Sequence, residues 1–585
     1  MTVLVGIPVL KDARRFHIEK GRRWSIFEHV VLESIAKTDG TIEQLHQLSN
    51  LPRRVLIEII IRLMRPGWVE IYNRDNTVYF RTTSRGRLVS TYPELPPAIH
   101  PTQRFLGYAI ELATGSIFYS RDLTFIKETE WTKRTAGHRA VQLEVPENSN
   151  RYSALNLRVL SDVLLEDDEE ITRVEVSDWK PSRRIALASV NGDKIEGLGA
   201  NVPDRLLDLI VDAASKIKRS KPGSENFVKV PKQSTYSAAS YKSRGINFRS
   251  EDVIFKGQDH RDTIDQVAKT AQHNVVVHST FIDFDKGKDF LGKFRNAINR
   301  GVKIDILWGK SDDKEGMNST RIAATKLHDY VIANGLSDSV RVHLTSTRSH
   351  SKILVYDRGD LSKFAAVVGS CNWLSTPFES MESSIKLRES GIVSDVLYEL
   401  AELAKPLDGQ VNDFSISFAR MGQRLANAAT SSGNASAQLV LGHEHAGYVL
   451  RARDEAKNSI FLVSHRIGLA ARPTLISLAA AARANNKLTP VVYFGKYSDT
   501  VNAESASSDL FTFREDGVTI NAIQQPRIHS KILAWDDNNA VITSQNWLSA
   551  DPGPNSPRDE IGVYLSGGNA GRHVFEKFQA AKNYG

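Results

Sequence analysis

The sequence predicts an α/β protein built from two repeated lobes, residues 251–428 and 437–585, facing each other across a pseudo-two-fold axis. A winged helix-turn-helix domain (1–98), an α+β middle domain (99–218) and a basic linker (219–250) precede them. Three observations predict this. A chain of 585 residues is too long for one hydrophobic core. Short apolar strands alternate with helical stretches in the second half, the pattern of an α/β lobe with a parallel or mixed sheet. That pattern then occurs twice with the same motifs in the same order.

The first domain reads from its periodicity. Ile26, Phe27, Val30, Val31, Ser34 and Ile35 share one face of a helix from about Trp24 to Lys37. Asp39-Gly40 stops it, and Thr41 with Gln44 three residues on predicts a capping box for a second helix with Leu45 and Leu48 inward. Leu51-Pro52 opens a third helix to about Arg65, with Val55, Ile59, Ile60 and Leu63 inward. Pro66-Gly67 ends it. Residues 68–72 and 77–80 then form a hairpin around Asn73-Arg74-Asp75-Asn76. The third helix carries Arg53, Arg54, Arg62 and Arg65, and residues 1–100 hold 15 Lys/Arg against 10 Asp/Glu. Contact with double- or single-stranded DNA through these arginines is one reading, and a protein-interaction module is the other.

The middle domain offers strands near 171–176 and 184–188 and a helix from Asp204 to Lys218. The run Glu166-Asp167-Asp168-Glu169-Glu170 reads as a solvated turn, because contiguous carboxylates cannot all face one ion. The linker is rich in Ser, Lys, Pro and Gly, and a second break at Ala428–Ser436 separates the lobes.

The repeat carries the chemistry. Gly257-Gln258-Asp259-His260 opens the first copy and Gly442-His443-Glu444-His445 the second. His350-Ser351-Lys352-Ile353-Leu354 is matched by His529-Ser530-Lys531-Ile532-Leu533. Asp357 and Asp536 follow at equal distance, and then Ser370-Cys371-Asn372-Trp373-Leu374-Ser375 and Ser544-Gln545-Asn546-Trp547-Leu548-Ser549. One His-x-Lys arises by chance; two copies with the same downstream residues do not. Alternation along a strand projects His350 with Lys352, and His529 with Lys531, into one pocket. His260 and His445 recur too, as helix-cap or packing residues or as phosphate contacts at the cleft.

The pattern His-x-Lys-x4-Asp followed by Gly-Ser-x-Asn resembles the phospholipase D superfamily, over about residues 251–585. The resemblance implies two phospholipase-D-like lobes whose half-sites meet face to face. It implies that one histidine attacks phosphorus while the other protonates the leaving oxygen and then activates water. Of the two, His350 is favoured as the nucleophile by analogy. Lys352, Lys531, Asn372 and Asn546 would hold the non-bridging oxygens. Asp357 and Asp536 complete the motif, Ser370 and Ser544 would support it, and Glu382 (or Glu379) and Glu560 would orient the histidines. The resemblance implies no metal and no cofactor. Two departures stand out. Eleven residues separate Asp357 from Gly369 against six between Asp536 and Thr543, and Thr543 replaces the usual glycine.

Composition narrows the rest. No run of 18 apolar residues occurs, no basic stretch precedes an apolar one near Met1, and Cys371 is the one cysteine. These predict a cytoplasmic chain without membrane span, leader or disulfide. A net charge of +8 and pI near 9.2 suit a polyanion. The function expected is therefore a metal-independent DNA nuclease, of the kind found in prokaryotic restriction or antiviral defence. A separate helicase or ATPase partner is expected, since no Gly-x4-Gly-Lys-Ser/Thr is present. The alternatives are a phospholipid hydrolase or transferase and a non-catalytic DNA-binding regulator. The sequence leaves the oligomeric state open.

Overall fold

The computed structural model describes residues 2–21, 24–92, 95–96, 99–145, 155–166, 168–175, 181–192, 194–199, 202–217, 226–229, 241–309, 319–361, 363–406, 410–426, 433–498, 510–550 and 559–583. The chain forms two compact units: residues 14–106 with 164–175, and residues 1–13 with 107–163 and 176–585.

The smaller unit contains three helices, Ile26–Lys37, Ile42–Ser49 and Arg53–Met64, then a hairpin of Val69–Arg74 and Thr77–Thr82. The Thr41–Gln44 capping box forms, and Ser25 with Glu28 makes another. The hairpin loop is tighter than expected. Asn73 and Arg74 pair with Val78 and Thr77, leaving Asp75-Asn76 as a two-residue turn with both φ positive, 47° and 63°. The inward faces also need correction. The first helix has two apolar stripes, and it buries Val31, Leu32 and Ile35 while Ile26, Phe27 and Val30 face outward. Leu56 takes the place expected of Val55, and Leu48 is exposed because the helix ends one residue later, at an αL Asn50. The run at 166–170 is not simply a solvated turn. Glu169 starts the strand Glu169–Val174, buried and ion-paired with Arg104 and Lys20. Glu166, Asp168 and Glu169 are the one group with donor atoms close enough to share an ion among the described residues; Asp167 lies outside them.

The larger unit begins with the N-terminal residues, so 1–98 is not one domain. Val3, Val5, Ile7 and Val9 alternate inward along the strand Thr2–Lys20, a period-2 signal that the helical reading passes over. Thr2–Lys11 pair antiparallel with Asn191–Ser182, and Val3–Gly6 parallel with Arg139–Gln142. The helix Asp204–Lys216 covers this sheet with Leu206, Ile210, Ala213 and Ala214. The expected linker is partly structured. Phe227–Lys229 joins the sheet beside Gln142–Glu144, and Arg244–Ile246 adds a strand to the second lobe with Tyr241 and Phe248 buried nearby. Residues 219–225 and 230–240 of it lie outside the described residues.

The first lobe is a seven-stranded mixed sheet. In hydrogen-bonded order its strands are Val253–Ile254, Ser384–Leu387, Lys363–Gly369, Ile353–Asp360, Asn274–Ser279, Lys303–Trp308 and Val340–Val342. The second lobe runs Arg244–Ile246, Ala435–Leu441, Ile561–Gly567, Asn539–Thr543, Ile532–Trp535, Ile460–Ile467, Val491–Tyr497 and Thr519–Ala522. After the added Arg244–Ile246 the two sheets share one order. Ile353 pairs with His278 in one and Ile532 with Val463 in the other, which aligns the copies residue by residue. The longer first-lobe hairpin is present, with a register shift between Asp357 and Asp360. Central strands are apolar on both faces, as sheets covered on both sides require.

Candidate active site

The motif residues lie just before their strands, not within them. His350-Ser351-Lys352 precede Ile353, and His529-Ser530-Lys531 precede Ile532. The backbone there is pinned from the opposite lobe. His350 N–H donates to Asp559 O and His529 N–H to Met381 O, each at 2.9 Å, and Met381 N–H returns a bond to Arg527 O at 2.8 Å. Ser349 and Ser530 hydroxyls donate to the same two carbonyls at 2.6 and 2.9 Å. These exchanges bring the two half-sites together.

The carboxylates cross over as well. His350 Nδ1 is 3.0 Å from Glu560 Oε2, and His529 Nδ1 is 2.7 Å from Glu382 Oε2. Each glutamate thus serves the histidine of the other lobe. Each is held by its own lobe's serine: Ser544 donates to Glu560 at 2.6 Å, and Ser370 to Glu382. Glu379, the competing candidate, is exposed. With Nδ1–H donated to carboxylate, each imidazole keeps its Nε2 lone pair.

Electrostatics follow from burial. Desolvation alone would raise Glu382 and Glu560, but the charge and hydrogen bond of the facing histidine overcome it and hold both at about 2. Burial lowers His350 to about 4, against the pull of Glu560 and with the push of Lys352. His529 is lowered by burial too, with Glu382 opposing. Lys531 falls to about 8, burial again outweighing Glu382 and Glu560. Lys352 Nζ lies 3.1 Å from His350 Nδ1 and donates to Thr280 Oγ1 at 2.8 Å, while Lys531 Nζ donates to His529 O at 2.6 Å. Asn372 and Asn546 are over nine-tenths buried, and Oδ1 of each has no partner among the described residues. Buried and unsatisfied polar atoms of this kind are poised for a ligand.

The motif aspartates do not belong to this pocket. Asp357 accepts the N–H groups of Gln272, His273, Asn274 and Gly359, and Asp536 those of Lys457, Asn458 and Ser459. Five steps along the strand, roughly 16 Å, separate each from its lysine. They fasten the loop entering the neighbouring strand. His260 and His445 are packing residues. His260 bonds Lys256 O and Ser384 Oγ, both at 2.8 Å, and His445 bonds Gly442 O at 2.9 Å and Thr543 Oγ1 at 2.7 Å. Arg53, Arg54, Arg62 and Arg65 lie in the smaller unit. Arg62 donates to buried Glu28 at 3.0 Å, while the Arg54 side chain is 90% exposed.

Sequence reasoning missed three residues here. His278 bonds Ser351 O at 2.8 Å and Thr347 Oγ1 at 2.7 Å, bracing the motif from behind. Thr280 receives Lys352. His465 lies against His529, ring centroids 4.8 Å apart. All are in or just beyond the strand next to the motif strand, and none is matched by a like residue in the other copy: His278 aligns with Val463, and Thr280 with His465.

The family described as "Cardiolipin synthase, PLD-like domain" matches residues 264–403. No curated protein matches the chain. Among solved structures, phosphatidylserine synthase from Haemophilus influenzae Rd KW20 is 11% identical over 59% of this chain and 87% of its own, with a TM-score of 0.41. Nuc from Salmonella typhimurium, a phospholipase D family member, is 21% identical over 26% and 95%, with a TM-score of 0.22. NucT from Helicobacter pylori is 11% identical over 25% and 95%, with a TM-score of 0.21. No helix among the described residues is long and apolar enough to cross a membrane. Residues 264–403, which hold the first motif, match this phospholipase-D-like domain family, and the sequence repeats that motif in full in the second lobe.

Proposed function

We propose that this chain is a metal-independent DNA nuclease that works through a phosphohistidine. The observation that carries the reading is the crossed pairing, His350 with Glu560 and His529 with Glu382, in which each lobe's carboxylate orients the other lobe's partly buried imidazole. Nε2 of one imidazole attacks phosphorus and the P–O ester bond breaks. The other imidazole gives its proton to the leaving oxygen. Now neutral, it takes a proton from water; the hydroxide attacks phosphorus, the P–N bond breaks, and a phosphate monoester leaves. Lys352, Lys531, Asn372 and Asn546 hold the non-bridging oxygens as charge develops. The bound phosphodiester's negative charge offsets the depressed basicity of the imidazoles, so one of them carries the proton when needed.

DNA is favoured by the smaller unit. Three helices and a hairpin are the parts of a winged helix, and the Arg54 side chain on the third helix is exposed. The test is incubation in EDTA with plasmid DNA, single-stranded DNA, RNA and phospholipid vesicles, wild type beside His350→Ala. Cleavage of DNA by wild type alone is expected. Intact DNA with cleaved lipid would reject the nuclease reading, and equal behaviour of both proteins would reject the catalytic one.

A further inference from the structure

The two half-sites are not equivalent at the mouth of the pocket. Aligning the lobes on Ile353 and Ile532 places Thr280 opposite His465 and Phe281 opposite Arg466. Hydrogen bonds agree: Ser279 Oγ donates to Phe281 O at 2.8 Å, and Ser464 Oγ to Arg466 O at 2.9 Å. On the first lobe, Phe281 meets His350 edge-on with centroids 6.4 Å apart. On the second, His465 meets His529 at 4.8 Å, and Arg466 pairs across the sheet with Lys496. The first lobe therefore has an aromatic ring where the second has a cation backed by another.

His465 adds an independent sign of a ligand. Its side chain is 8% exposed, and its Nε2 is buried without a partner among the described residues. Burial and the charges of Lys531, His529, Arg466 and Lys496 hold the ring neutral, at about 2. A neutral imidazole with a free nitrogen, beside His529 and within the field of Arg466 and Lys496, suits a phosphate oxygen.

We propose that His465, Arg466 and Lys496 form a specificity subsite for the phosphate next to the scissile one, while Phe281 supports a base on the other side. The substrate is thus a nucleic-acid strand held in one polarity. Stacking on the aromatic side is tolerant of sequence, and the phosphate contact requires a polyanion. This rests on the nuclease reading and is tested so that the two can fail separately.

The probes are thymidine dinucleotides without a terminal phosphate, with a 5′-phosphate, and with a 3′-phosphate. Wild type should cleave one phosphorylated form about tenfold or more faster, in kcat/KM, than the unphosphorylated dinucleotide. The other phosphorylated form should gain little. Arg466→Ala and Lys496→Ala should bring that ratio close to one, and Lys496→Glu below one. Equal cleavage of all three dinucleotides by wild type, or a ratio unchanged in the variants, overturns the subsite and leaves the nuclease reading standing. Cleavage of phosphatidylglycerol vesicles with no cleavage of any dinucleotide overturns both.

Discussion

His445 Nε2 lies 2.7 Å from Thr543 Oγ1, and this bond explains why Thr543 departs from glycine. In the first lobe the matching histidine, His260, bonds Ser384, which faces Gly369 across the sheet. In the second lobe the order is reversed: Thr543 supplies the hydroxyl and faces Gly562. Space permits only one side chain per pair. A Cβ on Gly369 would lie 2.4 Å from Ser384 Oγ, and one on Gly562 2.7 Å from Thr543 Cβ. Thr543→Gly should therefore cost about 1–3 kcal/mol by stranding a buried nitrogen. Gly562→Ser alone should also destabilise, by overlap. The double variant T543G/G562S recreates the first lobe's arrangement and should recover much of the loss. Melting temperatures of the three variants check this, and additive losses in the double variant would refute it.

Asp357 gives a second prediction. It is motif-bound in sequence and distant in structure, accepting four backbone N–H groups while fully buried. Asp357→Ala should lower stability by about 2–4 kcal/mol, since those donors lose their acceptor. The folded fraction should keep its kcat. Denaturant unfolding with turnover per folded molecule separates the two, and a lost kcat at full stability would return Asp357 to the pocket.

Acid should act on the site in two stages. The unfolded chain protonates its histidines near 6.5, but His350 resists until about 4, so the folded state loses stability as pH falls through that interval. Glu382 and Glu560 add a second loss in the same direction. Held at about 2 against an ordinary 4.5, they stabilise the fold fully above 4.5 and cease to do so as pH falls toward 2. Melting temperature should fall below pH 6.5 and again below 4.5, and Glu382→Gln with Glu560→Gln should flatten the second stage. Since one imidazole must start protonated and both are depressed, kcat/KM should peak on the acid side of neutrality. A maximum at alkaline pH would contradict this.

How far the sequence could be read depended on repetition. Both half-sites and the alternating lobes were legible because each signal appears twice in the same order, with identical spacing from His to Asp. The crossing itself and the exclusion of Asp357 and Asp536 were not. They depend on which lobe a side chain faces, and no local pattern encodes that. Leu56 against Val55, and Val31 against Val30, failed for a different reason: adjacent apolar stripes both satisfy the helical period, and packing chooses between them. His465 was invisible because Thr280, its counterpart, is unlike it, so the repeat hid the difference that matters most at the mouth of the pocket.

The arginines of the third helix divide by the same logic. Glu28 is 3% exposed, and it already accepts the Ser25 N–H at 2.6 Å while pairing with Arg62. Arg62→Ala would leave that carboxylate without its cation, and should cost about 1–2 kcal/mol given the partial exposure of the arginine. Among the described residues Arg54 pairs with an outer Glu58 at 3.5 Å, and its removal should leave the melting temperature in place. If the third helix meets DNA, Arg54→Ala should weaken binding to all sequences alike and reduce the salt dependence by about one phosphate contact. DNA affinity at two salt concentrations, beside melting curves, resolves the pair. An Arg54→Ala protein that binds DNA as wild type does would move the DNA contact off this helix, and an unchanged melting temperature for Arg62→Ala would mean that Glu28 finds its compensation in the Ser25 cap alone.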